Sequence, residues 1–220
     1  MDNPKSQSRL VYRELIKNTI YDKIVSGELG PGARIIELEW AKEFNTSQAP
    51  VREALRDLES MGIIVSVPFK GAFVREMTIK DLKDIHSVRS GLETVALKNA
   101  ILKATDKEID EVKEILDKVK EYARKGEWQA FVDENIKFHQ RIVELADTTE
   151  LLKMWKLCNI KLWTIFNVRK SRAELIKLAD SHDVIYEVLK NRQIERCYEV
   201  MDHHFVEVVD EISEEDHRTH

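Results

Sequence analysis

APVREALRDLESMGII, residues 49–64, with VSVPFKGAFVRE, residues 65–76, is the stretch whose reading decides the fold of the N-terminal part. At about 100° per residue, Val51, Ala54, Leu55, Leu58 and Met61 share one side of a helix. Arg52 and Arg56 fall almost opposite, and Gln48 lies at the boundary. Ser47 occupies an N-cap position and Gly62 lies where a left-handed cap is expected, so the pattern predicts a helix over 48–60. Past the glycine the period changes. IIVSV, PFKG and AFVRE read as two short strands joined by a turn.

Upstream, LVYRELIKNTIYDKIV (10–25) places Leu10, Val11, Leu15, Ile20, Ile24 and Val25 at helical spacing, and SGELGPGA breaks that helix. A short helix follows from about Glu37 to Phe44, interrupted by Asn45-Thr46-Ser47. Helix, helix, turn, helix and hairpin is the order of a winged helix-turn-helix. In that fold the helix from Gln48 enters the DNA major groove. There Arg52 and Arg56 can pair with guanine or hold phosphate, Gln48 can pair with adenine, and Ser47 can donate to phosphate. Lys70 and Gly71 at the hairpin tip reach an adjacent backbone or minor groove. The plainer reading is a solvated amphipathic helix. Residues 1–76 carry 11 basic and 11 acidic side chains, so DNA attraction there rests on local segregation of charge.

Composition separates this part from the rest. All four prolines and five of the seven glycines precede residue 72, and beyond it only Gly91 and Gly126 remain. The chain of 220 residues therefore reads as mainly α, with a winged helix-turn-helix over 1–76 and an all-helical domain over 77–220. With 35 Lys+Arg against 40 Asp+Glu the net charge is −5, and it falls wholly on the second part. At 43% hydrophobic residues disorder is not expected. No apolar run suits a membrane span or signal peptide, and Cys158 and Cys197 form no zinc or disulfide pattern. The expected setting is the cytoplasm, with no membrane partner.

The second part predicts about six helices, at 79–103, 106–125, 128–146, 149–170, 173–190 and 193–213. Capping boxes are readable at Thr78–Asp81, Thr105–Glu108 and Ser171–Glu174. Polar residues interrupt the apolar faces. Asn135 and His139 sit one turn apart within the stripe of their helix, His182 begins a helix beside Val184 and Ile185, and His204 flanks the face set by Met201 and Phe205. Each histidine alone reads as a hydrogen-bonded core or boundary residue, and convergence would instead make an N/O metal site. His86, His203, His217 and His220 read as solvated. Arg89 lies on an apolar side, either as an i,i+4 ion pair with Glu93 or as a bidentate clamp for a carboxylate.

ELGPGARIIELEWAKEFNTSQAPVREALRDLESMGII with FKGAFV resembles the winged-helix domain of the GntR family of bacterial transcription regulators. DIHSVRSGLETVA, DENIKFHQRIVELA, DSHDVIYEVLKN and RCYEVMDHHF resemble the FCD ligand-binding domain of its FadR branch. The likeness implies operator contacts from Ser47, Gln48 and Arg52, with the wing adding Lys70 and Gly71. Gln48 departs from the arginine usual there. It also implies a divalent metal, zinc or nickel, at Asn135, His139, His182 and His204, with Asn135 where metal-binding members carry Asp. A small organic acid would bind beside it at Arg89. The resulting expectation is a homodimeric, ligand-responsive regulator of double-stranded operator DNA, acting as a repressor and not an enzyme. The alternatives are a metal-dependent helical enzyme and a dedicated metal sensor.

Overall fold

The structure is a computed structural model that describes residues 4–158, 160–161, 163–165 and 175–218, with side chains described within 10–207 of that span. The chain divides into two compact units, Met1–Met77 and Thr78–His220.

The first unit runs α1 (Pro4–Ser26), β1 (Arg34–Ile35), α2 (Glu37–Glu43), α3 (Gln48–Ser60), β2 (Ile64–Val67) and β3 (Gly71–Val74). The strands form an antiparallel sheet in the order β1-β3-β2, with Val67 opposite Gly71 and Arg34 opposite Phe73. Sequence periodicity anticipates β2 and β3 but not β1, because two residues are too few to show alternation. The core joins Ile16, Ile20 and Ile24 of α1 to Val51, Ala54, Leu55 and Leu58 of α3. Burying each isoleucine, leucine or valine there is worth about 1.5–3 kcal/mol. Leu10, Val11 and Leu15, read as part of the same face, are exposed within this chain. The Arg13 guanidinium ties α1 to α3 by donating to both carboxylate oxygens of Asp57, each at 2.6 Å. Gly62 ends α3 in the left-handed region, at φ +68°. Ser47 has extended N-cap backbone but makes no side-chain capping bond, which corrects the predicted cap.

The second unit runs α4 (Ile79–Lys103), α5 (Asp106–Lys125), α6 (Trp128–Leu145), α7 (Thr149–Leu157), α8 (Leu175–Asp180), α9 (His182–Lys190), a 3-10 turn (Ile194–Arg196) and α10 (Cys197–Arg218). Both capping boxes at Thr78–Asp81 and Thr105–Glu108 form. The Ser171–Glu174 box and the predicted helical residues 166–170 and 173–174 lie outside the described residues. The single helix expected over 173–190 breaks at Ser181, whose hydroxyl donates to the Leu178 carbonyl at 2.9 Å. α4 packs on α6 and α10, and α5 lies along α6. Arg192 donates to the carbonyls of Ile101 and Ala104 at 2.6 and 2.9 Å, satisfying acceptors that the end of α4 leaves unpaired. Among the described residues no helix is long and apolar enough to cross a membrane.

Candidate functional site

Three helices bring the histidines together. His139 comes from α6, His182 from the first position of α9 and His204 from α10; all three are buried, and one ligand atom from each lies within 4.8 Å of the other two. Asn135, one turn before His139, reaches the same point, with its amide nitrogen 2.8 Å from His182 Nε2.

The surrounding acceptors assign one tautomer to each ring. The His182 Nδ1–H donates to the Leu178 carbonyl at 2.8 Å, and the His139 Nδ1–H to Glu93 Oε2 at 2.6 Å. Ser181 spends its own proton on Leu178, so its oxygen accepts from His204 Nδ1 at 3.2 Å. In each neutral ring the Nε2 lone pair is then the free one. His139 Nε2 and His182 Nε2 lie 3.1 Å apart, two lone pairs facing each other. Asn135 can donate to one of them, and a cation between them satisfies both. Neutral imidazoles with Nδ1 fixed by an outer ring of acceptors are the donor set that suits zinc, so the residues present fit a divalent metal.

Burial favours the neutral form of two of the three rings, His182 and His204. Burial and then the proximity of His139 push His182 down to about 3, and burial with the neighbouring histidines and Arg89 holds His204 well below its ordinary value. Burial alone would raise Glu93, but His139, Arg89 and the Trp155 indole outweigh it and hold the carboxyl at about 2. That indole donates to Glu93 Oε1 at 2.8 Å.

Arg89 is buried beside Glu93. Its Nε donates to Glu93 Oε1 at 3.1 Å, making the i,i+4 ion pair, and its guanidinium lies 4.7 Å above the Phe205 ring. Nη2, although 3.0 Å from the same oxygen, is off the hydrogen-bonding direction and has no hydrogen-bond partner. This nitrogen belongs to a residue lining a cavity of about 40 Å³ shared with Asn135 and the three histidines. A larger cleft of about 420 Å³ between α4 and α10 shares His86 and Phe205 with it. His86 is not solvated as its charged neighbours suggest: it is buried against Phe205, and burial followed by Arg89 lowers it to about 3. His203 and Asp133 do face outward, paired with Glu207 and Lys161.

In the first unit, Arg52 and Arg56 project from the exposed side of α3 as the periodicity requires. Arg52 is not free: its Nε donates to Glu37 at 2.7 Å and its Nη2 to the Gln48 side chain at 2.9 Å. Lys70 stands exposed before Gly71 at the hairpin tip.

Residues 12–74 match the gntR family of bacterial regulatory proteins, and residues 84–207 match the FCD domain. The chain belongs to the GntR family. A probable D-xylose utilization operon transcriptional repressor of Paenarthrobacter nicotinovorans is 32% identical over 91% of this chain and 88% of its own. The Bacillus subtilis (strain 168) regulator YdhC is 29% identical over 93% of this chain and 92% of its own. The solved structure of Escherichia coli McbR/YncC superposes with a TM-score of 0.73 at 22% identity, covering 92% of this chain and 97% of that one. GntR proteins are DNA-binding transcription regulators and not enzymes, which removes the helical metalloenzyme as a reading. Within this GntR chain, sequence reasoning left out Glu93, Trp155 and Ser181: Glu93 and Ser181 hold the His139 and His204 rings, and Trp155 holds Glu93. Glu93 was visible only as the partner of Arg89.

Proposed function

We propose that this GntR regulator is a homodimeric repressor whose helical domain binds a divalent metal and a small carboxylate, and whose winged helix releases DNA in response. The observation that carries this reading is the set of three imidazoles with Nδ1 tied outward, beside a buried Arg89 with an unspent Nη2. His139, His182 and His204 would hold the metal, with the Asn135 oxygen available after its amide turns. Bound there, zinc or nickel supplies a Lewis-acidic position for a carboxylate oxygen. Arg89 supplies the second grip on that carboxylate. The cavity of about 40 Å³ takes a carboxylate head, and a longer body extends past His86 into the cleft of about 420 Å³.

The DNA-reading surface is α3 and the wing, through Ser47, Gln48, Arg52, Arg56, Lys70 and Gly71. A homodimer places two such surfaces on half-sites about one helical turn apart. Val88, Val95 and Leu102, exposed at seven-residue intervals on α4, support a second copy as the cover for that face. The repressor sign is supported by the printed name of the xylose-operon relative. Action on chromosomal DNA supports a cytoplasmic setting. The effector must bind the two DNA-competence states unequally, since only differential affinity shifts their balance.

The test is metal analysis of purified protein followed by mobility-shift assays on DNA upstream of its gene, with and without small carboxylic acids. Arg89→Lys keeps the charge beside Glu93 but loses the fork, so it is expected to bind DNA and lose the response to acids. An unchanged response sinks the clamp. A dedicated metal sensor is the second reading, favoured by the Asn135 amide that occupies the His182 lone pair and weakens metal binding into a range where release is possible. DNA affinity that follows free metal without any acid selects it.

A further inference from the structure

The turn between β2 and β3 carries the wrong residue for its geometry. Lys70 N donates to the Val67 carbonyl at 3.0 Å, closing a β-turn with Pro68 and Phe69 at its centre. Proline fixes a negative φ at the first central position, and Phe69 has φ +63° at the second. That is a type II turn, whose second central position calls for glycine or asparagine. A phenylalanine there is strained by its Cβ. No burial offsets the strain. Phe69 is fully exposed, while the next most exposed large apolar side chain among the described residues, Leu157, is at 79%.

A side chain that costs folding energy and packs on nothing points to a partner outside the chain. Its neighbours say which. Lys70 follows it, and Arg34 of β1, paired with Phe73, sends its side chain toward the tip of the same hairpin, its Nε 3.6 Å from where a Cβ on Gly71 would sit. Neither cation has an ion pair among the described residues. One ring on a hairpin tip is far too small for a protein interface, which needs about 800 Å² on each side. An apolar wedge on a hairpin tip that also carries two cations has the chemistry of a minor-groove contact: the cations meet the groove's negative potential and the ring enters between bases.

We propose that Phe69 is a wedge that the wing inserts into the minor groove beside each half-site, partly unstacking a flexible pyrimidine–purine step. This rests on the wing lying against DNA as in the reading above, and it adds a contact that selects sequence by deformability. Proline and the Lys70 hydrogen bond hold the ring out before DNA arrives, so little ordering is lost on insertion.

The experiment takes full-length protein, selects its duplex from a random library, and compares wild type with Phe69→Gly, Phe69→Trp and Arg52→Ala. Glycine suits φ +63°, so Phe69→Gly relieves the turn and its melting temperature stays level or rises. Phe69→Gly is expected to lose about tenfold in affinity, the scale of one aromatic–base stack. It is also expected to abolish the permanganate reactivity of a thymine flanking the half-site, and the preference for TA or CA/TG there. Phe69→Trp retains all three. Equal affinity and equal thymine reactivity in Phe69→Gly overturn the wedge, and leave the recognition-helix reading standing if Arg52→Ala weakens the same duplex. A wild type that selects no duplex overturns both.

Discussion

Glu93 Oε2 accepts the His139 Nδ1–H at 2.6 Å, with both side chains buried. One carboxylate thereby orients a candidate metal ligand and neutralises Arg89. Glu93→Gln is close in shape but presents an amide, whose N–H₂ cannot accept from His139. If that amide faces His139, the ring must move its proton to Nε2 and withdraw a lone pair from the site. Removing such an outer acceptor lowers metal affinity by roughly 10–100-fold, which competition against a chromogenic chelator measures. The substitution also leaves Arg89 as a buried cation without its counter-charge. Breaking a buried pair costs about 3–5 kcal/mol, so the metal-free variant is expected to melt well below wild type.

The sequence made α3 legible because a helix face depends on local spacing alone, and the capping boxes at Thr78 and Thr105 because their partners lie three residues away. His139 and Asn135 could be placed inside a bundle for the same reason. Their meeting with His182 and His204 could not, since it depends on how α6, α9 and α10 pack. Glu93 shows the limit most clearly. Its i,i+4 partner Arg89 is a local relation, whereas its bonds to His139 and Trp155 cross 46 and 62 residues. His86 is different: it shares a helix face with Leu82, Arg89 and Glu93, and that periodic signal was overridden by the charges at Lys83 and Asp84 beside it.

The Arg52–Glu37 pair sets a second expectation. Arg52 must leave Glu37, or share it, to reach a base or phosphate. Both side chains are largely solvated, so the pair holds the guanidinium by only about 0.2–1 kcal/mol. Glu37→Gln is therefore expected to tighten operator binding by up to about fivefold, with a larger gain on non-specific DNA because a repulsive charge leaves the same surface. Arg52→Ala is expected to cost about 1–3 kcal/mol and to relax preference at one base pair. Titrations on operator and scrambled duplexes at two salt concentrations separate these effects.

The first unit carries a pH dependence of its own. The hydrogen bond from Arg13 outweighs burial and holds the Asp57 carboxyl below its usual range. A carboxyl depressed in the folded state stabilises fully above its unfolded pKa, about 4, and that contribution disappears as pH falls through the lower folded value. Asp57→Asn is expected to lower the melting temperature of the winged helix at pH 7 and to make progressively less difference as the pH falls below about 4. Arg13→Gln follows the same pattern. A difference that stays constant from pH 7 to pH 3 would remove the charge argument and leave only packing between α1 and α3.

Asn135 offers the sharpest test of the metal site. Its amide nitrogen, 2.8 Å from His182 Nε2, satisfies a lone pair that a metal would otherwise take. Asn135→Asp removes that donor and puts an anionic oxygen among unprotonated imidazole nitrogens. Without metal this is unfavourable, so the apo variant is expected to melt below wild type. With metal the sign reverses, since a carboxylate ligand adds charge compensation that a carboxamide lacks. Each tenfold gain in affinity adds about 1.4 kcal/mol of stabilisation at saturating metal. The expected outcome is a rise in melting temperature on adding zinc that is larger in Asn135→Asp than in wild type, starting from a lower value. Nickel and zinc titrations followed by calorimetry check it. An Asn135→Asp protein that melts like wild type with and without metal would place Asn135 outside the coordination sphere, leaving the three histidines as the metal ligands.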